Sequence, residues 1–113
     1  NISLPTSYYH DAIKETLRDN SFYIIISDDH EFVKKEFSYL DHKYISNCSE
    51  IIDLQFLMNA DQCIISNSTF GWWGAYLNPK NPPVVVPKYW LGFAEKVEFP
   101  CNIIPKEWKL IEI

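Results

Sequence analysis

Residues 64–77, Ile64-Ile65-Ser66-Asn67-Ser68-Thr69-Phe70-Gly71-Trp72-Trp73-Gly74-Ala75-Tyr76-Leu77, carry the densest chemical signal in the chain. An apolar β-branched pair runs through four polar residues into a segment of helical character. A helix N-terminus offers unpaired backbone N–H groups and about half a positive charge, which suits a phosphate. Ser68 and Thr69 add hydroxyl donors there, and Gly71 and Gly74 let the helix lie close to a sheet or a ligand. The pattern is a phosphate cradle without a lysine. Two other readings stand beside it. Ser68 or Thr69 also suits the helix N-cap, the commoner use of such residues, and Asn67-Ser68-Thr69 and Asn47-Cys48-Ser49 both match the glycosylation acceptor pattern.

Asp28-Asp29 forms a second candidate. A carboxylate at a strand end accepts hydrogen bonds from a guanine N1–H and amine or from a ribose hydroxyl; it also serves as a helix cap. A DxD-type metal site fits poorly, because adjacent residues on an extended chain point to opposite sides. No Ser-His-Asp set, Cys-His pair or carboxylate dyad is legible, and His10, His30 and His42 lack metal-ligand spacing. Trp72 and Trp73 suit stacking on a sugar or base. Consecutive helical residues diverge by about 100°, so at least one of the two belongs to the core.

These groups need elements to position them. The pattern predicts a helix over His10–Asp19, a strand over Phe22–Ser27, a helix over His30–Tyr39 and a strand over Lys43–Ser46. A buried helix follows, capped by Asn47 with Glu50 three residues on, and then a strand over Gln62–Ser66. A helix over Phe70–Leu77 and a strand over Val84–Val86 complete the series, leaving residues 88–113 as an irregular tail rich in aromatics and proline. Alternating strands and helices imply parallel pairing and right-handed crossovers. The expected fold is a Rossmann-like parallel sheet with helices on both faces. Ligands of such sheets bind at the carboxyl ends of the strands, where Ser27-Asp28-Asp29, Ser46-Asn47 and Ser66–Thr69 should share one edge.

Composition narrows the function classes. The chain has 113 residues, 47% hydrophobic and 16% aromatic, enough for one ordered domain spanning 1–113. A net charge of -5 with one arginine, Arg18, argues against binding a nucleic-acid backbone. No apolar run approaches the roughly 20 residues of a membrane span. Three widely spaced cysteines, Cys48, Cys63 and Cys101, read as buried reduced thiols. With no targeting signal, they point to the cytoplasm, with the inner membrane face as a peripheral site.

Tyr23–Asp29 (YIIISDD), Ile65–Asn78 (ISNSTFGWWGAYLN) and Val84–Trp90 (VVVPKYW) together resemble the carboxyl-terminal part of family 11 glycosyltransferases, the α-1,2-fucosyltransferases of bacterial type. The likeness covers nearly the whole chain. It implies the carboxyl-terminal half of a GT-B-like fold, GDP-fucose as donor, and inverting transfer to a galactoside in surface glycan synthesis, without metal or other cofactor. By the same likeness Asp28 contacts the guanine, Ser68 and Thr69 bind the diphosphate and Phe70 packs beside the nucleotide, with Asp29 and Asn67 as further donor-nucleotide-binding residues. The family's HxRRxD motif, whose arginines neutralise the leaving diphosphate, has no counterpart here. The expectation is therefore a donor-binding fragment, inactive alone, that meets its acceptor through a missing half and is prone to self-association. A binding or assembly module without chemistry, and a transferase domain for another nucleotide sugar, are the alternatives.

Overall fold

A computed structural model describes residues 3–113. The elements run α1 (Thr6–Thr16), β1 (Tyr23–Ile25), α2 (His30–Glu36), β2 (Lys43–Ile45), α3 (Glu50–Asn59), β3 (Cys63–Ile64), α4 (Thr69–Tyr76), β4 (Val84–Pro87) and β5 (Lys109–Ile111). Every strand pair is parallel, as the alternation predicts. The expected single ladder is divided in two: β1 pairs with β2, and β3-β4-β5 form a second sheet. The unpaired edges of β1 and β3 line one cleft, and Ile25 and Ile64 pack against a common apolar cluster. The chain thus steps from β1 out to β2 and returns to the other side of β1 for β3, β4 and β5.

Side-chain alternation along the strands sorts the core into two faces. On one face Tyr23, Ile25 and Ile45 meet Ile13 of α1 and Val33 of α2, with Phe37 and Leu40 just beyond it. Val85 meets Tyr8 and Ala12 of α1 on this same side. On the opposite face Cys63, Ile65, Val84 and Val86 pack under Ala75 of α4, with Trp90 and Trp108 from the tail and Leu57 from α3. Helices therefore cover both faces, α1 and α2 on one and α3 and α4 on the other, which is the Rossmann-like arrangement.

Four details differ from the sequence reading. First, α1 begins at Thr6 and ends at Thr16, earlier than predicted at both ends. Pro5, with φ fixed near -66°, starts it, and burial of Tyr8 draws the extra turn into the helix. Second, Ser49 and not Asn47 caps α3, accepting from the Ile52 amide at 3.5 Å; Asn47 instead accepts the Tyr44 hydroxyl. Third, α3 is not a buried helix. None of its residues is fully buried, and Ile51 and Ile52 are exposed, because the face of β1-β2 bearing Ile24 and Tyr44 lies open beside it. Fourth, the tail contains β5, which takes the free edge of β4.

Helices α3 and α4 lock together at short range. A Cβ added to Gly74 would lie 2.6 Å from the Leu57 Cβ, so only glycine permits the approach. Buried Asn78, just after α4, donates to the Leu57 and Ala60 carbonyls at 2.9 Å each. Those carbonyls end α3, where the Leu57 oxygen otherwise takes only the long bond from the Ala60 amide, at 3.5 Å, and the Cys63 thiol. Trp72 fills the core against Trp108 and donates its indole N–H to the Ile103 carbonyl at 2.9 Å, while Trp73 stays half exposed.

Of the cysteines only Cys63 is buried; Cys48 is half-buried and Cys101 exposed, and all three are free thiols. The expectation of three buried thiols thus holds for one, since Cys101 belongs to a tail turn that lies on the surface.

Candidate functional site

The cleft between β1 and β3 has a volume of about 940 Å³. Its walls are mostly apolar, with Ile24 and Ile26 on one side and Phe56 and Ile64 on the other. Polar groups line both ends: Ser27 after β1, Ser66 after β3, and Ser68 and Gly71 where α4 begins, with Arg18, Asn20, Ser21, Asn59, Asp61 and Gln62 ahead of the strands. Tyr9 of α1 and Phe70 of α4 line the same cleft. This is a largely apolar pocket with a few convergent polar groups, at the point where strand order reverses.

Beyond β1, the Ser27 hydroxyl oxygen accepts the Asp29 amide at 3.1 Å. The Asp29 carboxylate in turn accepts the Phe32 amide at 3.1 Å and caps α2. Asp28, between them, is exposed. At α4 the Ser68 hydroxyl oxygen accepts the Gly71 amide at 3.2 Å, the capping bond of that helix. Ser68 and Thr69 are both exposed, so the α4 terminus opens to solvent; Phe70 is half-buried. Thus Ser68 and Phe70 line the cleft itself, whereas Asp28, Asp29, Asn67 and Thr69 stand next to lining residues on its rim.

Of two further groups near this edge, the sequence points to Ser46 as a polar strand end but not to Tyr9. The buried Ser46 hydroxyl, at the end of β2, donates to the Asp53 carboxylate in the first turn of α3 and fixes that loop. Tyr9 reaches the Ser66 side chain from α1. Burial pushes its phenol up, and Ser66 pulls partly the other way. A tyrosine one residue from a core tyrosine gives no sequence signal of a site; only the packing of α1 places it here.

The single arginine sits at the other end of the cleft, just ahead of β1. Its guanidinium donates to the Leu17 and Glu15 carbonyls at 3.0 and 3.4 Å, at the C-terminus of α1. The serine cluster at the carboxyl edge therefore presents neutral donors and a helix terminus. Among the described residues no three His, Cys, Asp or Glu side chains form a group suited to a metal ion, and no helix is long and apolar enough to cross a membrane.

Comparison with known proteins supplies a family context. The sequence model for Glycosyl transferase family 11 matches residues 5–112. The O-antigen biosynthesis glycosyltransferase WbnK of Escherichia coli is 35% identical over 96 residues, covering 79% of this chain and 32% of that protein. An alpha-1,2-colitosyltransferase of Escherichia coli is 32% identical over 114 residues, covering 93% of this chain and 38% of that protein. The chain thus spans about a third of the length of these curated relatives. No solved structure matches.

Proposed function

Because this chain belongs to glycosyl transferase family 11, we propose that it is the donor-binding domain of an inverting α-1,2-glycosyltransferase, with GDP-fucose as the sugar nucleotide. The observation that carries this reading is the convergence of Ser27, Ser66, Ser68 and the α4 terminus on one cleft at the carboxyl edge of parallel strands. The diphosphate sits at that terminus, where peptide N–H groups and the Ser68 and Thr69 hydroxyls donate to its oxygens. Asn67 lies beside them, and Phe70 packs against the nucleoside. Asp28, exposed one residue beyond Ser27, accepts from the guanine N1–H and amine; Asp29 holds the loop as the α2 cap.

The reaction exchanges the bond from sugar C1 to the diphosphate for one to an acceptor hydroxyl, and the departing diphosphate gathers negative charge. Stabilising that charge is a large part of catalysis. The residues at this edge do so with neutral donors and one helix dipole, and Arg18 is held at the far end. Cationic stabilisation, the general base and the galactoside acceptor site therefore belong to the rest of a whole transferase, and this chain alone binds donor without turnover. No metal or other cofactor enters this scheme. Such an enzyme works on the cytoplasmic side, where nucleotide sugars are made.

A second reading concerns the sugar. The relative that covers 93% of this chain is described as a colitosyltransferase, which favours a related deoxysugar on the same nucleotide. Titration of the chain with GDP, followed by amide chemical shifts with UDP and ADP as controls, tests the nucleotide. Shifts at Asp28, Ser68, Thr69 and Phe70 with GDP alone are expected, and an equal response to UDP overturns the guanine assignment. Competition between GDP-fucose and GDP-colitose then separates the two sugars.

A further inference from the structure

We infer that Tyr9, a residue of α1 and not of the strand-end loops, is a diphosphate-binding residue of the cleft, its phenolic hydroxyl donating to a non-bridging phosphate oxygen. The inference rests on the donor-site reading above.

Three observations carry it. Tyr9 lines the cleft that Ser27, Ser66, Ser68 and Gly71 also line. Its side chain stands beside that of Ser66, which follows β3 and leads into the cradle, and this places the Tyr9 hydroxyl at the carboxyl edge with the α4 terminus. The ring is also held in place: it packs edge-on against Tyr8 at 5.0 Å and 73°, and against Phe37 at 6.5 Å and 86°. A hydroxyl on a rigid ring loses little freedom when it binds, so the orientation is supplied before the ligand arrives.

The chemistry suits an anion. Burial holds the phenol in its protonated form, so Tyr9 brings a donor and no negative charge to oppose the phosphate. A hydrogen bond from a neutral donor to a charged oxygen is stronger than one between neutral partners. The Ser66 hydroxyl beside it has a hydrogen to donate to the Tyr9 oxygen, an arrangement that leaves the Tyr9 hydrogen for the ligand. At an edge where the described residues offer serine and threonine hydroxyls, Tyr9 adds a donor from the opposite helical layer. That donor approaches the diphosphate from the α1 side of the sheet while Ser68 approaches from the α4 side.

The test is Tyr9→Phe in the full chain, titrated with guanosine, GMP and GDP. The ring and its packing remain, so the variant should fold and keep its affinity for guanosine, while GDP weakens by roughly 10-fold. Equal losses for guanosine and GDP, or no loss for either, overturn the assignment. If the unaltered chain fails to bind GDP, the donor-site reading itself falls and this inference with it; GDP binding that ignores Tyr9→Phe removes the inference alone. As a measurement independent of variant folding, a chain carrying 3-fluorotyrosine should show the Tyr9 fluorine signal moving with GDP and inorganic pyrophosphate but not with guanosine. A signal unmoved by pyrophosphate and GDP overturns the inference.

Discussion

The Ser68 hydroxyl oxygen accepts the Gly71 amide at 3.2 Å, and this bond leaves the hydroxyl hydrogen free to donate. Capping and ligand binding are therefore compatible at one side chain, although the sequence presents them as rival readings. Substitution separates them. Ser68→Asp keeps a good cap and places a favourable charge at the α4 terminus, so thermal stability should hold or rise. The same carboxylate repels a diphosphate, and the GDP response should vanish in the amide titration. Ser68→Ala should lose about 1 kcal/mol of stability with the cap.

Gly74 and Leu57 define the contact between α3 and α4. Gly74→Ala puts a methyl carbon 2.6 Å from the Leu57 Cβ, and the helices must separate. A loss of about 1–3 kcal/mol is expected from denaturant unfolding. Shortening the neighbour as well, in Gly74→Ala with Leu57→Ala, should cost less than the two single changes added together.

Tyr8 is buried, and its hydroxyl donates to the Ile65 and Val85 carbonyls, bridging α1 to β4 and to the residue that follows β3. Tyr8→Phe removes the shared donor while leaving the ring. The expected destabilisation is about 1–2 kcal/mol, read as a shift in the denaturation midpoint with an unchanged slope.

Burial raises the Cys63 thiol from 9.0 to about 11. Above pH 9 the unfolded chain releases this proton before the folded one does, so folding stability falls as pH rises between those values. Tyr8 and Tyr9, both raised by burial, act in the same direction. Cys63→Ala should flatten the decline between pH 9 and 11 in thermal melts. In the native chain at pH 8, Cys101 and Cys48 should react with a thiol reagent well before Cys63.

The fold was legible where a local pattern and its tertiary use agree. The run at Tyr23–Ile25 and the valines at Val84–Val86 have the β-branched and aromatic character that strands require, and both are strands. The hydroxyl-rich entry to α4 signals a helix start, and Ser68 caps it. Legibility ended where one segment needs another to declare itself. Lys109–Ile111 is too short and too charged at its start to read as a strand until β4 offers an edge. The apolar residues of α3 predict burial, but Ile51 and Ile52 face outward, beside a sheet face that this chain does not cover. In the candidate site, Ser68 and Phe70 follow from a strand–helix junction, whereas Tyr9 depends on how α1 crosses the sheet, which its own spacing does not encode.

The bridge made by Tyr8 also bears on how the chain folds during synthesis. Its acceptors lie 57 and 77 positions further along, and Glu15 of the same helix meets Lys109 across 94 positions at 2.8 Å. A ribosome therefore releases α1 long before it releases the surface that buries Tyr8 and Ala12. Closing such distant contacts carries a loop entropy that no nearby contact repays. The domain should stay incompletely folded until β4 and β5 have left the exit tunnel, and a chain stalled near Asn78 should expose the apolar stripe of α1 to chaperones.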